Sequence, residues 1–225
     1  MIASEQRRLQ ITLARLRPHL DLDRVALTGG VAVELHLARA GRPARRTAIA
    51  DLDFIALGMG AVAAAAARDF LVSHYHTPQP GVPKGLIQLV DPVTRLRIDV
   101  FTDPPGSIAG ATCLAVAGIE LLVLAPRAIL EHKLRTLETA SKTRPVEAKH
   151  WLDAVALAEL CGREPPPEPQ HLAEPVYCTD LRAACARCEL SRLPEFRSRR
   201  SARSSRYSAT SSPGAPVAWN DVRLL

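Results

Sequence analysis

Apolar positions recur along the first two thirds of the chain with two different periods. Residues 4 to 17 place Leu9, Leu13 and Leu16 on one helical face, and Pro18 ends that helix. Arg24 to Leu27 is a short apolar strand that meets Thr28, Gly29 and Gly30 and continues as a helix from about Val31 to Ala40. Gly41 to Arg46 is a polar, Pro-containing loop, and Asp51 to Leu57 alternates as a strand. Ala61 to Ser73, rich in strong helix formers, predicts a helix. Tyr75 to Gly85 carries three Pro and two Gly and predicts a loop. Leu86 to Val90 and Arg95 to Thr102 predict a hairpin, with Asp91-Pro92 opening a type I turn. Thr112 to Ala117 and Ile119 to Leu124 predict two more strands, broken at Gly118. Two helices follow, Pro126 to about Ala140 and Pro145 to Leu160, the second stopping at Gly162.

The order predicts an α+β fold: a mixed sheet over 24–124 flanked by an N-terminal helix and by helices over 126–161. Glu164-Pro165-Pro166-Pro167-Glu168-Pro169 ends the regular pattern, so residues 1–164 are expected to form one domain. Residues 165–225, rich in Pro, Arg and Ser, are expected to be a largely disordered tail, with one short helix at Thr179 to Leu190.

Composition refines this outline. The chain has 225 residues, 47% of them hydrophobic, enough for a core. Apolar runs such as Ala61 to Ala67 are far shorter than the ~20 residues that span a bilayer, so no membrane partner is expected. The amphipathic start, with Arg7, Arg8, Arg15 and Arg17, does not read as a targeting signal. Five Cys, odd in number and unevenly placed, fit a reduced cytoplasmic protein. The net charge of +6 divides evenly, with 20 Lys+Arg against 17 Asp+Glu up to Glu164 and 9 against 6 beyond it. Six Arg and one Glu fall within Ser191 to Arg206, a segment suited to nucleic-acid phosphates or simply to solvent.

Acidic residues carry the candidate chemistry. Strand alternation puts Asp51, Asp53 and Ile55 on one face of their strand. Neighbouring carboxylates repel unless a cation or proton sits between them, and Mg²⁺ favours such hard oxygen ligands together with substrate phosphates. On Arg95 to Phe101, Leu96, Ile98 and Val100 share one face, and Asp99 points the other way with Arg97 and Phe101. If the two strands are neighbours, Asp99 joins Asp51 and Asp53, and three carboxylates can hold two metal ions for phosphoryl transfer. The Gly29-Gly30 turn lets backbone approach a phosphate and aims the free N–H groups of a helix start at it. Alone, the Gly-Gly turn is usually just a turn, an Asp-x-Asp often a surface edge or cap, and a lone Asp99 mostly a solvated strand face. Without a following Lys-Ser/Thr the turn is not a P-loop.

Thr28-Gly29-Gly30, Asp51-Leu52-Asp53 and Asp99 together resemble the nucleotidyltransferase superfamily that includes DNA polymerase β. The run Gly29-Gly30-Val31-Ala32-Val33-Glu34-Leu35-His36, followed by Arg46-Thr47 and Asp51-Leu52-Asp53-Phe54, looks like its AbiEii-type and minimal bacterial branches. The resemblance spans roughly residues 24 to 160; Thr47 lies four residues before Asp51, where those proteins usually have two. It implies that Asp51, Asp53 and Asp99 bind Mg²⁺ or Mn²⁺, with Asp99 as the base for an incoming hydroxyl. It also implies that Thr28, Gly29, Gly30, Arg46, Thr47 and Lys133 contact an NTP. Lys133 sits at the edge of the stripe Ile129, Leu130, Leu134 and Leu137, and only four residues of the chain are Lys. Lys149 and Asp153, i and i+4 on the last helix, read as an ordinary ion pair. By resemblance Lys149 and Asp153 support the active site and belong to its nucleotide-binding residues.

The expectation is therefore a nucleotidyltransferase that moves a nucleoside monophosphate from an NTP to an acceptor hydroxyl, on RNA or on a small molecule. A toxin-like member would have a cognate antitoxin as partner. A silent nucleotide- or partner-binding member of the fold, and a nucleic-acid-binding protein acting through the Arg-rich tail, are the competing classes. His74 with His76, and Cys178, Cys185 and Cys188 with His171, are weaker metal-ligand patterns.

Overall fold

The computed structural model describes residues 3–78, 84–102, 107–143, 146–169 and 172–173. A seven-stranded mixed sheet forms its centre, with strand order β3-β4-β5-β2-β1-β7-β6. The strands are β1 (Val25–Thr28), β2 (Asp51–Ala56), β3 (Leu71–His76), β4 (Leu86–Val90), β5 (Arg97–Thr102), β6 (Thr112–Val116) and β7 (Ile119–Val123). Helices α1 (Ala3–Leu16), α2 (Gly29–Arg39), α3 (Pro126–Thr143) and α4 (Ala148–Leu160) flank it. The expected α+β architecture is thus present.

Two pairings set up the site. β1 runs antiparallel to β2, and β2 runs parallel to β5, so β5 lies beside β2 rather than being confined to its hairpin with β4. Alternation then separates two faces. Leu52, Phe54, Ile98 and Val100 are buried in the core with Leu9, Leu13 and Leu16 of α1, while Asp51, Asp53, Arg97 and Asp99 emerge opposite. β6 and β7 close through Ala117 and Gly118, both at positive φ as a two-residue turn of the primed type requires.

Three expectations are corrected. Residues 61–73 do not form a helix: two short 3₁₀ turns (Met59–Ala61 and Ala64–Arg68) lead into β3, an edge strand that reaches His76. The alanines supply helix propensity, but Val72 and Tyr75 supply the apolar contacts that seat a strand against β4. The β4–β5 turn is wider than type I. Arg95 N–H bonds to the Asp91 carbonyl at 2.7 Å, Arg95 takes a φ of 59°, and the Asp91 carboxylate accepts from Val93 N–H and the Thr94 hydroxyl. The last helix begins at Ala148, because Val146–Glu147 (β8) instead pairs in parallel with Leu172–Ala173 (β9). Of the expected 165–225 tail, residues 165–169 and 172–173 are described, the latter as β9; residues 174–225, with its expected helix and Cys group, lie outside the described residues.

Candidate active site

A single lateral row crosses the sheet. Thr28 on β1 pairs with Asp53 on β2, Asp53 with Asp99 on β5, Asp99 with Gln88 on β4, and Gln88 with His74 on β3. Side chains in one row share a face, so the sheet itself brings the two separate acidic motifs together. Ligand oxygens of Asp51, Asp53 and Asp99 lie within 4.8 Å of one another, and among the described residues this is the one group of three potential metal ligands.

The charge is only partly balanced. Arg97, two residues before Asp99 and in register with Asp51, reaches the Asp51 carboxylate at 2.5 Å and the Asp99 carboxylate at 3.1 Å. Burial, then the charges of Asp51 and Asp99, push the Asp53 carboxyl up to about 7 against the opposing pull of Lys133 and Arg97. Burial also raises Asp99, opposed by Arg97 and by the Gln88 hydrogen bond. A cluster that retains a proton near neutrality is short of positive charge, and its donors are all hard oxygens. That donor set fits a divalent ion such as Mg²⁺ or Mn²⁺.

Beside the carboxylates, β1 turns into α2. Thr28 is extended and buried, and its side chain makes no capping bond. Gly29 has a φ of +66°, and a Cβ there would fall on the Asp53 carboxylate. A Cβ on Gly30 would fall on the Arg46 guanidinium. Both glycines are therefore required by close approach, the first also by its left-handed backbone. The start of α2 is thereby pressed between an acidic and a basic side chain.

Arg46 is held from below. Its Nη2 donates to both oxygens of Asp153 at 2.6 Å. Arg45 Nη2 donates to Asp153 at 3.0 Å and to Glu34 at 3.0 Å, and Lys133 Nζ lies 2.9 Å from Asp153. Burial disfavours the Asp153 charge, but Lys133 and Arg46 outweigh it and hold this 1%-exposed carboxyl below its usual value. Lys133 thus finds its anion inside the protein, as its place at the edge of an apolar stripe requires.

The expected Lys149–Asp153 ion pair is not formed. Lys149 pairs with Glu147 at 3.1 Å, because Asp153 points inward to the 41–50 loop and α3. Lys149 still exerts a lowering pull on Asp99. Thr47 is exposed in the loop ahead of β2. His74 and His76 meet, Nε2 to Nδ1, at 3.1 Å, and no third ligand joins them among the described residues. Sequence reasoning missed Glu34, Arg45 and Gln88 as parts of this region. The Arg45-Arg46 pair beside a Pro was a usable signal for the loop; a glutamine on a short strand offers none.

Comparison with known proteins adds distant likenesses. No family model and no curated protein matches the chain. Among solved structures it is similar to an antigenic nucleotidyltransferase-like protein from Paracoccidioides brasiliensis, at 18% identity and a TM-score of 0.42, over 87% of this chain and 92% of that one. It is similar to a candidate nucleotidyltransferase from H. pylori at 13% identity and a TM-score of 0.38, over 71% of this chain and 70% of that one. It is also similar to the JHP933 protein from Helicobacter pylori, at 15% identity and a TM-score of 0.41, over 71% and 68%.

Proposed function

We propose that the chain is a divalent-metal-dependent nucleotidyltransferase that transfers a nucleoside monophosphate from an NTP to an acceptor hydroxyl. One observation carries this reading: three carboxylates from two parallel neighbouring strands converge within 4.8 Å, against the glycine start of a helix. Asp51, Asp53 and Asp99 would hold Mg²⁺. When bound, the ion neutralises the carboxylates and polarises the reacting phosphate.

The chain's own residues supply the rest. The N–H groups of Gly29 and Gly30, at the start of α2, would offer a helix N-terminus to the phosphates. Behind them three cations, Arg45, Arg46 and Lys133, face two carboxylates, Glu34 and Asp153, leaving a positive excess on the phosphate side. The acceptor hydroxyl attacks the α-phosphorus, the bond to the β-phosphate oxygen breaks and pyrophosphate leaves. The Asp99 carboxylate takes the hydroxyl proton.

The AbiEii-type branch is supported by the same cluster, in which an Arg ahead of the acidic pair and a Lys and an Asp of the following helices meet. Incubation with each α-³²P-labelled NTP and Mg²⁺, offered total RNA and small hydroxyl acceptors, tests the activity. Label transfer by the wild type and none by Asp51→Ala/Asp53→Ala is the expected result. Equal transfer by both proteins rejects the site.

A further inference from the structure

One side chain in the row beyond Asp99 has no role in the reading above. Gln88 sits on β4 directly opposite Asp99, and its Nε2 donates to Asp99 Oδ1 at 2.9 Å. A free glutamine amide can present either its N–H₂ or its C=O to a neighbour. Here the choice is fixed from the far side, because the Ser73 hydroxyl donates to Gln88 Oε1 at 3.0 Å.

Ser73 occupies that position because β3 is irregular there. The pairing with β4 shifts between Val72, opposite Leu89, and His74, opposite Gln88, so Ser73 is the extra residue of a bulge. Bulges re-aim side chains, and this one puts two consecutive residues of β3 over the same partner. The Ser73 hydroxyl also lies 3.3 Å from the Gln88 carbonyl, which anchors it to the strand that carries the amide. A directed chain results, from the Ser73 hydroxyl to the Gln88 side-chain Oε1 and from Gln88 Nε2 to Asp99 Oδ1.

Among the described residues, Asp99 is otherwise oriented only by Arg97, whose Nε is 3.1 Å from Oδ2. Arg97 also serves Asp51 and is partly exposed. A contact shared between two acids does not fix the plane of either. The amide fixes Oδ1 of Asp99 and leaves Oδ2 to Arg97, in a carboxylate that lies within 4.8 Å of those of Asp51 and Asp53.

We propose that Gln88, set by Ser73 on the β3 bulge, is the positioning residue that orients Asp99 for metal binding and for accepting the acceptor's proton. This rests on the nucleotidyltransferase reading for its chemistry but not for its geometry. Outer partners of metal-ligating carboxylates matter to affinity and rate by about 10–100-fold. Gln88→Met keeps the length of the side chain and removes both hydrogen bonds.

The test uses the full chain and begins without nucleotide. In ¹⁵N-resolved NMR the Gln88 amide gives two widely separated, slowly exchanging proton signals, and both Asp99→Asn and Ser73→Ala shift them. An amide with the signals of a solvated glutamine, unmoved by Asp99→Asn, overturns the proposal whatever the protein does with NTP. Mn²⁺ binding followed by electron paramagnetic resonance weakens about 10–100-fold in Gln88→Met while the melting temperature holds. Unchanged Mn²⁺ affinity overturns the positioning role. Turnover, where measured, loses kcat by a similar factor with the KM for NTP unaltered. In the Gln88→Met background Ser73→Ala adds nothing, whereas an additive loss shows that Ser73 does not act through Gln88. NMR and Mn²⁺ results as expected, in a protein that transfers no label, reject nucleotidyl transfer and leave the role of Gln88 standing.

Discussion

Gly29 lies so close to Asp53 that a methyl group on its Cα would occupy the position of the carboxylate. The helix start and the acidic strand are therefore fitted to each other, and neither can be altered alone.

Gly29→Ala suffers twice. The residue stays at a φ of +66°, which costs a non-glycine residue about 1–2 kcal/mol, and its Cβ displaces Asp53. Label transfer should fall by two orders of magnitude or more, while thermal unfolding shows only a modest loss of stability. Gly30→Ala, which meets the Arg46 guanidinium instead, should raise the KM for NTP more than it lowers kcat. Equal effects of the two substitutions on both constants would contradict this division of labour.

Arg97 bridges Asp51 and Asp99, two of the carboxylates proposed to hold a divalent ion. Arg97→Gln removes the cation closest to both and leaves the carboxylates to repel one another. Without metal the variant should be less stable by about 1–2 kcal/mol, since the arginine is partly exposed. Millimolar Mg²⁺ should raise its melting temperature more than it raises the wild type's, because binding to the native state stabilises it. An equal or smaller metal response in the variant means that Arg97 does not compete for the site.

Much of this site was legible before the fold, for definite reasons. Period-2 alternation put Asp51 with Asp53, and Asp99 opposite Leu96, Ile98 and Val100, whatever the topology. That β5 runs beside β2 was only a condition, since nothing in either strand names its neighbour; the pairing Asp53↔Asp99 supplied it. β3 was misread because the bulge at Ser73 interrupts the alternation that marks a strand, and the alanines before it favour helix. The i,i+4 rule proposed Lys149 for Asp153, but it ranks only partners on one exposed helix face. Buried and pointing inward, Asp153 instead takes Arg45, Arg46 and Lys133 from a loop and another helix. Gln88 carries no charge and no periodic signal, so only the pairing of β4 with β5 brings it to Asp99.

Asp153 is the anchor of three cations, and removing it strands them. Asp153→Ala should destabilise the protein by on the order of 3–5 kcal/mol, the usual result of breaking a buried ion pair on one side. At roughly 2–4 °C per kcal/mol the melting temperature should fall by about 10 °C. Asp153→Asn, which keeps a hydrogen-bond acceptor, should lose less. The folded carboxyl lies below its ordinary value, so its contribution is complete above that value and disappears as pH falls through the folded one. Wild type and Asp153→Asn should therefore converge in stability in acid, below about pH 3.8. A gap that stays constant from neutral pH into that range would show that the charge of Asp153 is not what holds the cluster.

His150 gives the acid response at milder pH. Burial, then the charges of Lys133 and Lys149, lower it from 6.5 to about 4, and its Nδ1 lies 3.5 Å from Lys133 Nζ. The folded protein keeps this ring neutral, whereas the unfolded chain binds a proton near 6.5. Stability from this group is thus complete above about pH 6.5, declines as pH falls and is gone near pH 4. Discounted for partial exposure, the loss is on the order of 2 kcal/mol. Urea unfolding at pH 7 and pH 5 should show it as a lower midpoint at pH 5 with an unchanged slope. His150→Gln removes the titration, so its midpoint should move less between the two pH values. An identical acid shift in His150→Gln would assign the response to other groups.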